Sequence, residues 1–323
     1  MTNPLLSICI PTYNRANYLA ESLAAIVVQF QNHPELLTEV EVIISDNAST
    51  DTTALVAQKY RAEYPNITYF CNDKNLGSDE NYISAVGHSN GEYGWLIGDD
   101  DYIVGGGIKF VVDYLRHNQV SVLTVESRTF VSVAEVLTSR LTVTPELLVR
   151  TNSHDNFFKQ GYCIGLLCSI IFRRSLWLAV DRANYRPGWS YYEIALKLMA
   201  QSSLPMVHLS CPLVITREDS LWVKDGTEFF FFINWKKILE KLADFGYNRT
   251  YLQSRVDELA KHLLIILLRA KGHDLRCSIA NYKLLSAEFK SYPGWLLLAT
   301  VIYPMPNNLV KAVRDLKKYL KHS

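Results

Sequence analysis

Short apolar runs alternate with segments of helical periodicity over the first two thirds of the chain. The runs begin near Leu5, Val40, Ile67 and Tyr93, and between them apolar residues recur three or four positions apart. Continuous apolar runs are typical of strands that are buried on both faces, whereas the wider spacing is typical of amphipathic helices. The alternation predicts an α/β fold, with a mostly parallel sheet covered by helices on both faces.

The pattern changes after a last apolar run at Met206–Ile215. Beyond it, four segments are apolar at helical spacing: Phe229–Leu242, Val256–Arg269, Ile279–Phe289 and Leu309–Leu320. We therefore predict one α/β domain over residues 1–220 and a helical C-terminal region over residues 221–323. Residues 130–149 show only partial alternation and are interpreted as either an edge hairpin or an insertion.

Polar residues before two of the predicted helices are candidate N-caps. Ser49 or Thr50 precedes the second predicted helix, and Ser78 precedes the third. Serine and threonine are favoured at that position because their hydroxyl accepts a hydrogen bond from a free N–H of the first turn.

Polar turns follow the predicted first, second and fourth strands at Pro11–Arg15, Ser45–Asn47 and Gly98–Asp101. The carboxyl ends of parallel strands share one edge of a sheet, where ligands collect. The third turn holds three consecutive aspartates, which repel each other and are costly to bury without a cation. Hard divalent cations prefer oxygen ligands, so we expect a metal site there. A solvated acidic turn is the alternative.

A dinucleotide-binding fold is the obvious rival among parallel-sheet proteins. That fold requires the pattern G-x-G-x-x-G directly after the first strand. Here the turn at Pro11–Arg15 contains no glycine, and Gly105–Gly107 follows a later strand with the wrong spacing. The sequence therefore argues against a nicotinamide or flavin dinucleotide site.

Composition narrows the class of protein further. Of 323 residues, 49% are hydrophobic and 20% are charged, and a net charge of +1 gives no field that would favour a nucleic-acid partner. The six cysteines are scattered without a C-x-x-C pair, which favours free thiols in a reducing compartment over zinc. An apolar run begins almost at Met1, so we expect no signal peptide and a cytoplasmic protein.

The C-terminal segment has a different charge balance. Residues 301–323 contain five lysines and arginines and one aspartate, a net charge of +4. With apolar residues at helical spacing, this basic helix can lie on an anionic membrane such as the inner face of the plasma membrane. Alternatively, the apolar stripe packs on the protein's own helices or on a second subunit, which would make the protein a homo-oligomer.

Taken together, the motifs P-T-Y-N-R, I-I-S-D-N-A-S-T-D, N-x-G and an aspartate cluster resemble the family-two glycosyltransferases of the GT-A fold. The resemblance covers roughly the first 110 residues. Within the family the sequence is most similar to bacterial enzymes of surface polysaccharide synthesis, nearest the abequosyltransferase-like group.

This resemblance implies transfer of a sugar from a nucleoside-diphosphate donor to a saccharide acceptor, usually with inversion. It further implies Mn²⁺ or Mg²⁺ as cofactor, a lipid-linked acceptor and a role in O-antigen biosynthesis. By position in the motifs, the residues that would contact the nucleotide or its sugar are Pro11, Thr12, Tyr13, Arg15, Asp46 and Asn75. Of these, Tyr13 offers a ring face to the base and Asp46 accepts a hydrogen bond from it.

The family's acidic turn often has the pattern D-x-D-D, and Gly98 here takes the place of the first aspartate. The resemblance assigns Asp99 and Asp100 to the nucleotide-sugar, with Asp100 also in the catalytic set. It assigns Asp101 to the metal.

Transfer also needs a carboxylate that accepts the proton of the acceptor hydroxyl. In the family this base often begins a helix in the second half, where Glu193 follows two tyrosines. The alternative is an ordinary glutamate on a helix surface. Arg217 and Lys224, after the last predicted strand, are either diphosphate contacts or solvated loop charges.

Two other functions stay open. A sugar nucleotidyltransferase also places a nucleotide on such a sheet, although its first loop is usually rich in glycine and carries a lysine. A non-catalytic subunit that binds a nucleotide-sugar as a scaffold would keep the same fold.

Overall fold

A computed structural model of the chain describes residues 3–129, 146–161, 166–182, 185, 187–217, 228–272, 275 and 278–311. The chain forms two compact units. The first comprises Met1–Tyr185 and Ser190–Glu218, and the second comprises Arg186–Trp189 and Asp219–Ser323.

The first unit is built on a sheet of nine strands within the described residues. The strands are β1 Leu6–Thr12, β2 Val40–Asp46, β3 Ile67–Cys71, β4 Tyr93–Leu96, β5 Tyr102–Ile103, β6 Val122–Thr129, β7 Glu146–Thr151, β8 Ile170–Arg173 and β9 Met206–Thr216. Their order in the sheet is β3-β2-β1-β4-β8-β6-β9-β5, and β7 pairs with β9.

The predicted α/β class is confirmed, with a difference in the second half of the sheet. Strands β3, β2, β1 and β4 are all parallel, as the alternating pattern predicts. Strand β8 then runs antiparallel to both β4 and β6, while β6 and β9 are parallel. The sheet is therefore mixed, because the later strands are not joined by a regular series of crossover helices.

Helices cover this sheet. Those of the first unit are α1 Ala16–Asn32, α2 Leu36–Glu39, α3 Thr53–Glu63, α4 Ser78–Gly87, α5 Gly107–His117, α6 His154–Lys159, α7 Arg174–Ala179 and α8 Ser190–Gln201. Every residue of β1 is buried. Its apolar side chains join those of α1 and α5 in one core, which is why the strand is apolar without alternation.

The predicted N-caps are wrong. Helix α3 begins after Thr52, and the side chain of Asp51 accepts the N–H of Thr53 at 2.9 Å. Helix α4 begins after Gly77, whose φ of 86° suits glycine, so Ser78 is already helical. Both helices begin within a few residues of the predicted position, and deviations of this size are usual at helix ends.

The second unit is helical in its described part, with α9 Glu228–Leu242, α10 Arg249–Gly272, α11 Ile279–Glu288 and α12 Pro293–Ile302. Leu263, Leu285 and Phe289 are fully buried in its core. A short helix begins at residue 307, but residues 312–323 of the predicted basic helix lie outside the described part, as do residues 130–145. None of the described helices combines the length and the apolar character that crossing a membrane requires.

Candidate functional site

The turns after β1, β2 and β4 lie together at the carboxyl edge of the parallel strands. Thr12 is aligned with Asp46 across β1 and β2, and the N–H of Asn47 donates to the Thr12 carbonyl at 2.9 Å. The Ile97 N–H donates to the Cys9 carbonyl at 3.0 Å, which brings the start of the acidic turn beside β1. The grouping that the parallel pattern predicts is present.

Two of these turns contain backbone in the left-handed region. Asn14 has a φ of 52° and Ala48 a φ of 62°, and they are the described non-glycine residues with positive φ. The Asn14 side chain accepts the N–H of Thr50 at 2.7 Å, and the Asn14 N–H donates to Ser49 Oγ at 2.8 Å. These bonds between the turns hold the strained conformation in place.

Arg15 connects the first turn to the acidic turn. Its Nη1 lies 2.9 Å from Asp99 Oδ1, and its Nη2 donates to Asp100 Oδ2 at 2.6 Å. The Thr12 hydroxyl donates to the other Asp99 oxygen at 2.7 Å. A planar guanidinium suits two adjacent carboxylates, so Arg15 provides part of the compensating charge that the aspartates require.

Burial of the turn disfavours its negative charge. It raises the pKa of Asp99 to about 7, even though Arg15 and Thr12 act in the opposite direction. It also raises the pKa of Asp101 to about 7, and the neighbouring Asp100 adds to that rise. A bound cation would reverse both shifts by favouring the ionised form.

Gly98 allows two carboxylates to converge. A Cβ at this position would lie 2.8 Å from Asp101 Oδ2 and 3.1 Å from Asp100 Oδ1. Magnesium is usually held by one or two carboxylates and takes its other ligands from phosphates and water. The described residues contain no group of three metal-ligating side chains, but this carboxylate pair fits a cation that substrate oxygens complete.

Asp46 is buried at the end of β2, with 1% of its surface exposed. Its Oδ1 accepts the N–H of Ser49 at 2.9 Å, and its Oδ2 accepts the Tyr69 hydroxyl at 2.8 Å. Tyr69, which the sequence did not single out, therefore fixes the carboxylate. Nearby in the chain, Pro11 is a buried residue of β1, whereas the Tyr13 ring is 41% exposed and available for stacking.

Asn75 lies in the loop between β3 and α4, beside the turn after β2. Its Oδ1 accepts the Gly77 N–H at 2.8 Å and the Asn47 side-chain amide at 2.9 Å. The Asn47 oxygen in turn accepts the Leu76 N–H at 2.8 Å. The N-x-G motif is thus tied to the turn after β2 through two asparagine side chains.

Asn81 is a site residue that the sequence analysis missed. It is buried in α4, where its oxygen accepts the Ser45 hydroxyl at 2.8 Å and its amide donates to the Ser45 carbonyl at 2.9 Å. The signal was available, because Asn81 lies four residues before Ala85 on the buried face of the predicted helix.

The first turns of α4 and α8 meet beside the acidic turn. Asp79 Oδ1 accepts the Ser190 N–H at 3.1 Å, and the rings of Tyr82 and Tyr191 pack edge to face with centroids 5.9 Å apart. Burial raises the pKa of both tyrosines, and the charges of Asp79 and of the acidic turn raise it further. The sequence did not predict these contacts, because no local pattern links residues of two helices that are more than 100 positions apart.

Glu193 is buried, with 1% of its surface exposed, so the alternative of a surface glutamate is wrong. Its Oε1 lies 2.9 Å from Lys197 Nζ, one helical turn later. It is two positions from Tyr191, which places the two side chains on roughly opposite faces of α8. The predicted base therefore belongs to a buried ion pair on the face away from Tyr191.

Arg217 is not a solvated loop charge. Its guanidinium hydrogen-bonds Glu21, donates to the Tyr102 hydroxyl at 2.6 Å, and stacks 4.7 Å from the centre of the Tyr18 ring. Arg15 lies 4.6 Å from the centre of the same ring. Arg217 therefore joins α1 to the ends of β5 and β9, while Lys224 lies outside the described residues.

The chain is similar in sequence to known glycosyltransferases. The model for the family described as Glycosyl transferase family 2 matches residues 7–176, just over half of the 323 residues. The abequosyltransferase RfbV of Salmonella typhimurium is 32% identical over 229 residues, an alignment that covers 67% of this chain and 67% of that protein.

Solved structures with the same fold extend over both units. S. aureus TarS 1-349, in complex with UDP-GlcNAc, has a TM-score of 0.59 at 18% identity. The alignment covers 90% of this chain and 82% of the TarS chain. The mannosyltransferase PcManGT from Pyrobaculum calidifontis, in complex with GDP-Man and Mn²⁺, has a TM-score of 0.56 at 16% identity. The alignment covers 98% of this chain and 88% of the PcManGT chain. At these identities the likeness is one of fold.

Proposed function

This chain belongs to glycosyl transferase family 2, and from that premise we propose that it transfers a sugar from a nucleoside diphosphate to a hydroxyl of a saccharide acceptor. The resemblance identified from the sequence motifs and the enzyme class are confirmed by the family match. The single observation that carries the donor assignment is the carboxyl edge of the sheet, where Arg15 joins Asp99 and Asp100 close to the buried Asp46.

In the proposed complex, the nucleotide lies along the turns after β1 and β2. Asp46 is held by Tyr69 and Ser49, so its carboxylate is already oriented to accept an N–H of the base. The exposed Tyr13 ring provides a stacking surface, while Pro11 and Thr12 form the floor and Asn75 borders the sugar. Preorganised contacts of this kind lower the entropic cost of binding.

We propose that Asp101, with Asp100, holds Mn²⁺ or Mg²⁺ together with the donor diphosphate. When bound, such an ion supplies positive charge that stabilises the departing diphosphate. The Mn²⁺ in the PcManGT complex supports this assignment by analogy of fold. Arg15, which already contacts Asp99 and Asp100, would orient their carboxylates whether or not the ion is present.

We propose Glu193 as the acceptor of the proton that leaves the acceptor hydroxyl. Glu193 is the candidate from sequence, with transfer by inversion of the anomeric centre, and its burial beside Lys197 adds a competing role as a structural ion pair. The two roles predict different kinetic results, so substitution of Glu193 and of Lys197 distinguishes them.

The acceptor is proposed to be a lipid-linked saccharide in bacterial O-antigen or other surface polysaccharide synthesis. Its support is the similarity to the abequosyltransferase RfbV over 67% of this chain. The four described cysteines are free and three are buried, which agrees with the reducing environment of the cytoplasm. Peripheral attachment to the inner face of the plasma membrane would bring the enzyme to such an acceptor.

The experiment is a donor-hydrolysis assay with purified full-length protein, a panel of nucleotide sugars and Mn²⁺. Release of a nucleoside diphosphate is expected for one donor class, and Asp101→Ala should abolish it. Asp113→Ala is the matched control, since that aspartate lies on the exposed surface of α5 and pairs with Lys109. Exchange of pyrophosphate instead would indicate a nucleotidyltransferase, and inertness toward every donor would indicate a scaffold; either result rejects the proposal.

A further inference from the structure

Helix α12 exposes an apolar face. The exposed fractions of three of its side chains are 68% for Leu297, 49% for Leu298 and 58% for Val301, and Trp295 is 36% exposed. The helix contains no charged residue, and Thr300 is its one polar side chain. Exposed helix faces normally carry charged side chains, so a contiguous apolar face indicates a contact with something else.

The opposite face of α12 is already used. Ala299 is fully buried, and Leu296 and Ile302 pack on the helical core of the second unit. Successive residues of a helix are rotated by about 100°, which places positions 294, 297, 298 and 301 in one arc away from Ala299. Leu297, Leu298 and Val301 therefore form one surface, and the core of the unit does not account for it.

The sequence on either side of α12 is basic. No charged residue occurs between Lys290 and Lys311, which flank α12 in the sequence. Residues 289–323 contain six lysines and arginines and one aspartate, a net charge of +5. An apolar surface flanked by basic residues is complementary to an anionic lipid bilayer, which offers hydrocarbon below a layer of phosphates.

The length of α12 determines how it can engage a bilayer. At about 1.5 Å per residue, its ten residues extend over about 15 Å, roughly half of the hydrocarbon thickness. The helix is too short to cross, and one of its faces is attached to protein. It can lie parallel to the surface with its apolar face below the headgroups.

We propose that α12 is a membrane-contact helix, with Leu297, Leu298 and Val301 inserted into the interface of an anionic membrane and with Lys290 and Lys311, which flank the helix in the sequence, at the lipid phosphates. This inference concerns the second unit and does not rest on the proposed transferase function. It predicts binding that depends both on the apolar face and on the charge of the lipid.

The test is co-sedimentation of the full-length protein with vesicles of phosphatidylcholine alone or mixed with phosphatidylglycerol. Binding is expected only to the anionic vesicles, with a decrease on addition of salt because screening weakens the attraction. Leu297→Glu should lower the partition coefficient by about 10-fold or more, since it removes apolar contact and adds negative charge. Val301→Glu should act in the same direction.

Leu55→Glu is the matched control. Leu55 lies on α3 and is 65% exposed, nearly the same as Leu297, so the change in charge and exposed surface is equivalent. Circular dichroism and melting temperature establish that each variant is folded. Equal binding of the Leu297 and Leu55 variants would overturn the proposal, as would wild-type protein that stays in the supernatant. A dimer that Leu297→Glu dissociates, without vesicle binding, would assign the face to a second copy of the chain.

Discussion

At the scale of single residues, Arg15 explains how three consecutive aspartates share a turn that is largely out of water. It contacts two of them at 2.9 and 2.6 Å, while the third carboxylate faces Gly98. A glycine in that place leaves room for the Asp101 oxygen, which a larger residue would displace. The turn therefore combines one resident cation with one carboxylate pair that remains suited to a metal.

Arg15→Gln should lower the free energy of unfolding by about 3 kcal/mol near pH 7.5, because it leaves the buried Asp99 carboxylate without its cationic partner. Arg116→Gln is a control with the same substitution, at a pair with Glu39 whose side chains are 42% and 28% exposed. It should cost less than about 1 kcal/mol. Urea unfolding of both variants measures the difference, and similar small losses would show that Arg15 has no such role.

The pair of Glu193 and Lys197 can be examined by a double-mutant cycle. Both side chains are buried and 2.9 Å apart, so Glu193→Gln and Lys197→Met should each destabilise the fold by about 3 kcal/mol. The double variant should recover part of that loss, because neither charge is then left unpaired.

Kinetics then separate the two roles of Glu193. At a temperature where all variants are folded, a general base requires that Glu193→Gln lower kcat by about 10²-fold while donor binding survives. Lys197→Met should retain far more activity in that case. If transfer by the glutamine variant is unchanged, Glu193 is a structural residue and the base lies elsewhere.

At the scale of elements, the candidate site is formed by the ends of strands and by the first turns of two helices. Strand β1 contributes Thr12, β2 contributes Asp46, and the turn after β4 contributes the aspartates. The first turns of α4 and α8 close one side through the bond from the Ser190 N–H to Asp79. Because these elements are held by the core, the polar side chains are positioned before a ligand arrives.

The acidic turn should make stability depend on pH. Burial raises the pKa of Asp101 from its ordinary 3.8 to about 7, so the folded state binds more protons than the unfolded state between those values. Stability of the metal-free protein should therefore fall as pH rises from about 4 through about 7.

The measurement compares the wild type with Asp101→Asn in EDTA, by urea unfolding across that pH range. The asparagine variant cannot ionise at this position, so the difference in stability between the two proteins should change with pH and favour the variant most at high pH. A constant difference would contradict the shifted pKa. Addition of Mn²⁺ should stabilise the wild type more at high pH, because the ligand must be deprotonated.

At the scale of the whole molecule, the chain divides into a sheet unit that contains the proposed donor site and a helical unit with the exposed α12 face. The buried charges are distributed between them in different ways. In the sheet unit, Asp46 and Asp99 are buried at the candidate site and Glu193 pairs with Lys197 within α8. In the helical unit, the buried Lys271 donates to the Tyr303 carbonyl at 3.0 Å. That contact is structural, since it satisfies a carbonyl just beyond the end of α12.

Binding of donor product should stabilise the folded protein as a whole. With a nucleoside diphosphate and Mn²⁺ at about 100 times the dissociation constant, the gain is about 2.7 kcal/mol, which raises Tm by several degrees. Asp101→Ala should remove the part of the shift that requires Mn²⁺, while its own Tm without ligand stays equal or rises slightly. Thermal shift assays measure both, and a full Mn²⁺-dependent shift in the variant would exclude Asp101 as a metal ligand.

The sequence by itself determined the parts of this protein that depend on local pattern. Apolar runs and helical spacing were sufficient for the α/β class and for the parallel direction of the first four strands, because strands that are buried on both faces are apolar without alternation. The turns at Pro11–Arg15, Ser45–Asn47 and Gly98–Asp101 were likewise identifiable, since polar residues at strand ends stand out against an apolar core.

Only the tertiary structure decided which side chains meet. Arg15 and Asp99 are 84 positions apart in the sequence, and Asp79 and Ser190 are 111 apart, so no local pattern joins them. The burial of Glu193 and the exposure of Leu297 could not be predicted from the sequence either. The spacing of apolar residues shows that a helix has an apolar face but not what that face contacts. Which side chains contact each other is determined by the folded chain, because the packing of the sheet and helices brings residues together that are distant in the sequence.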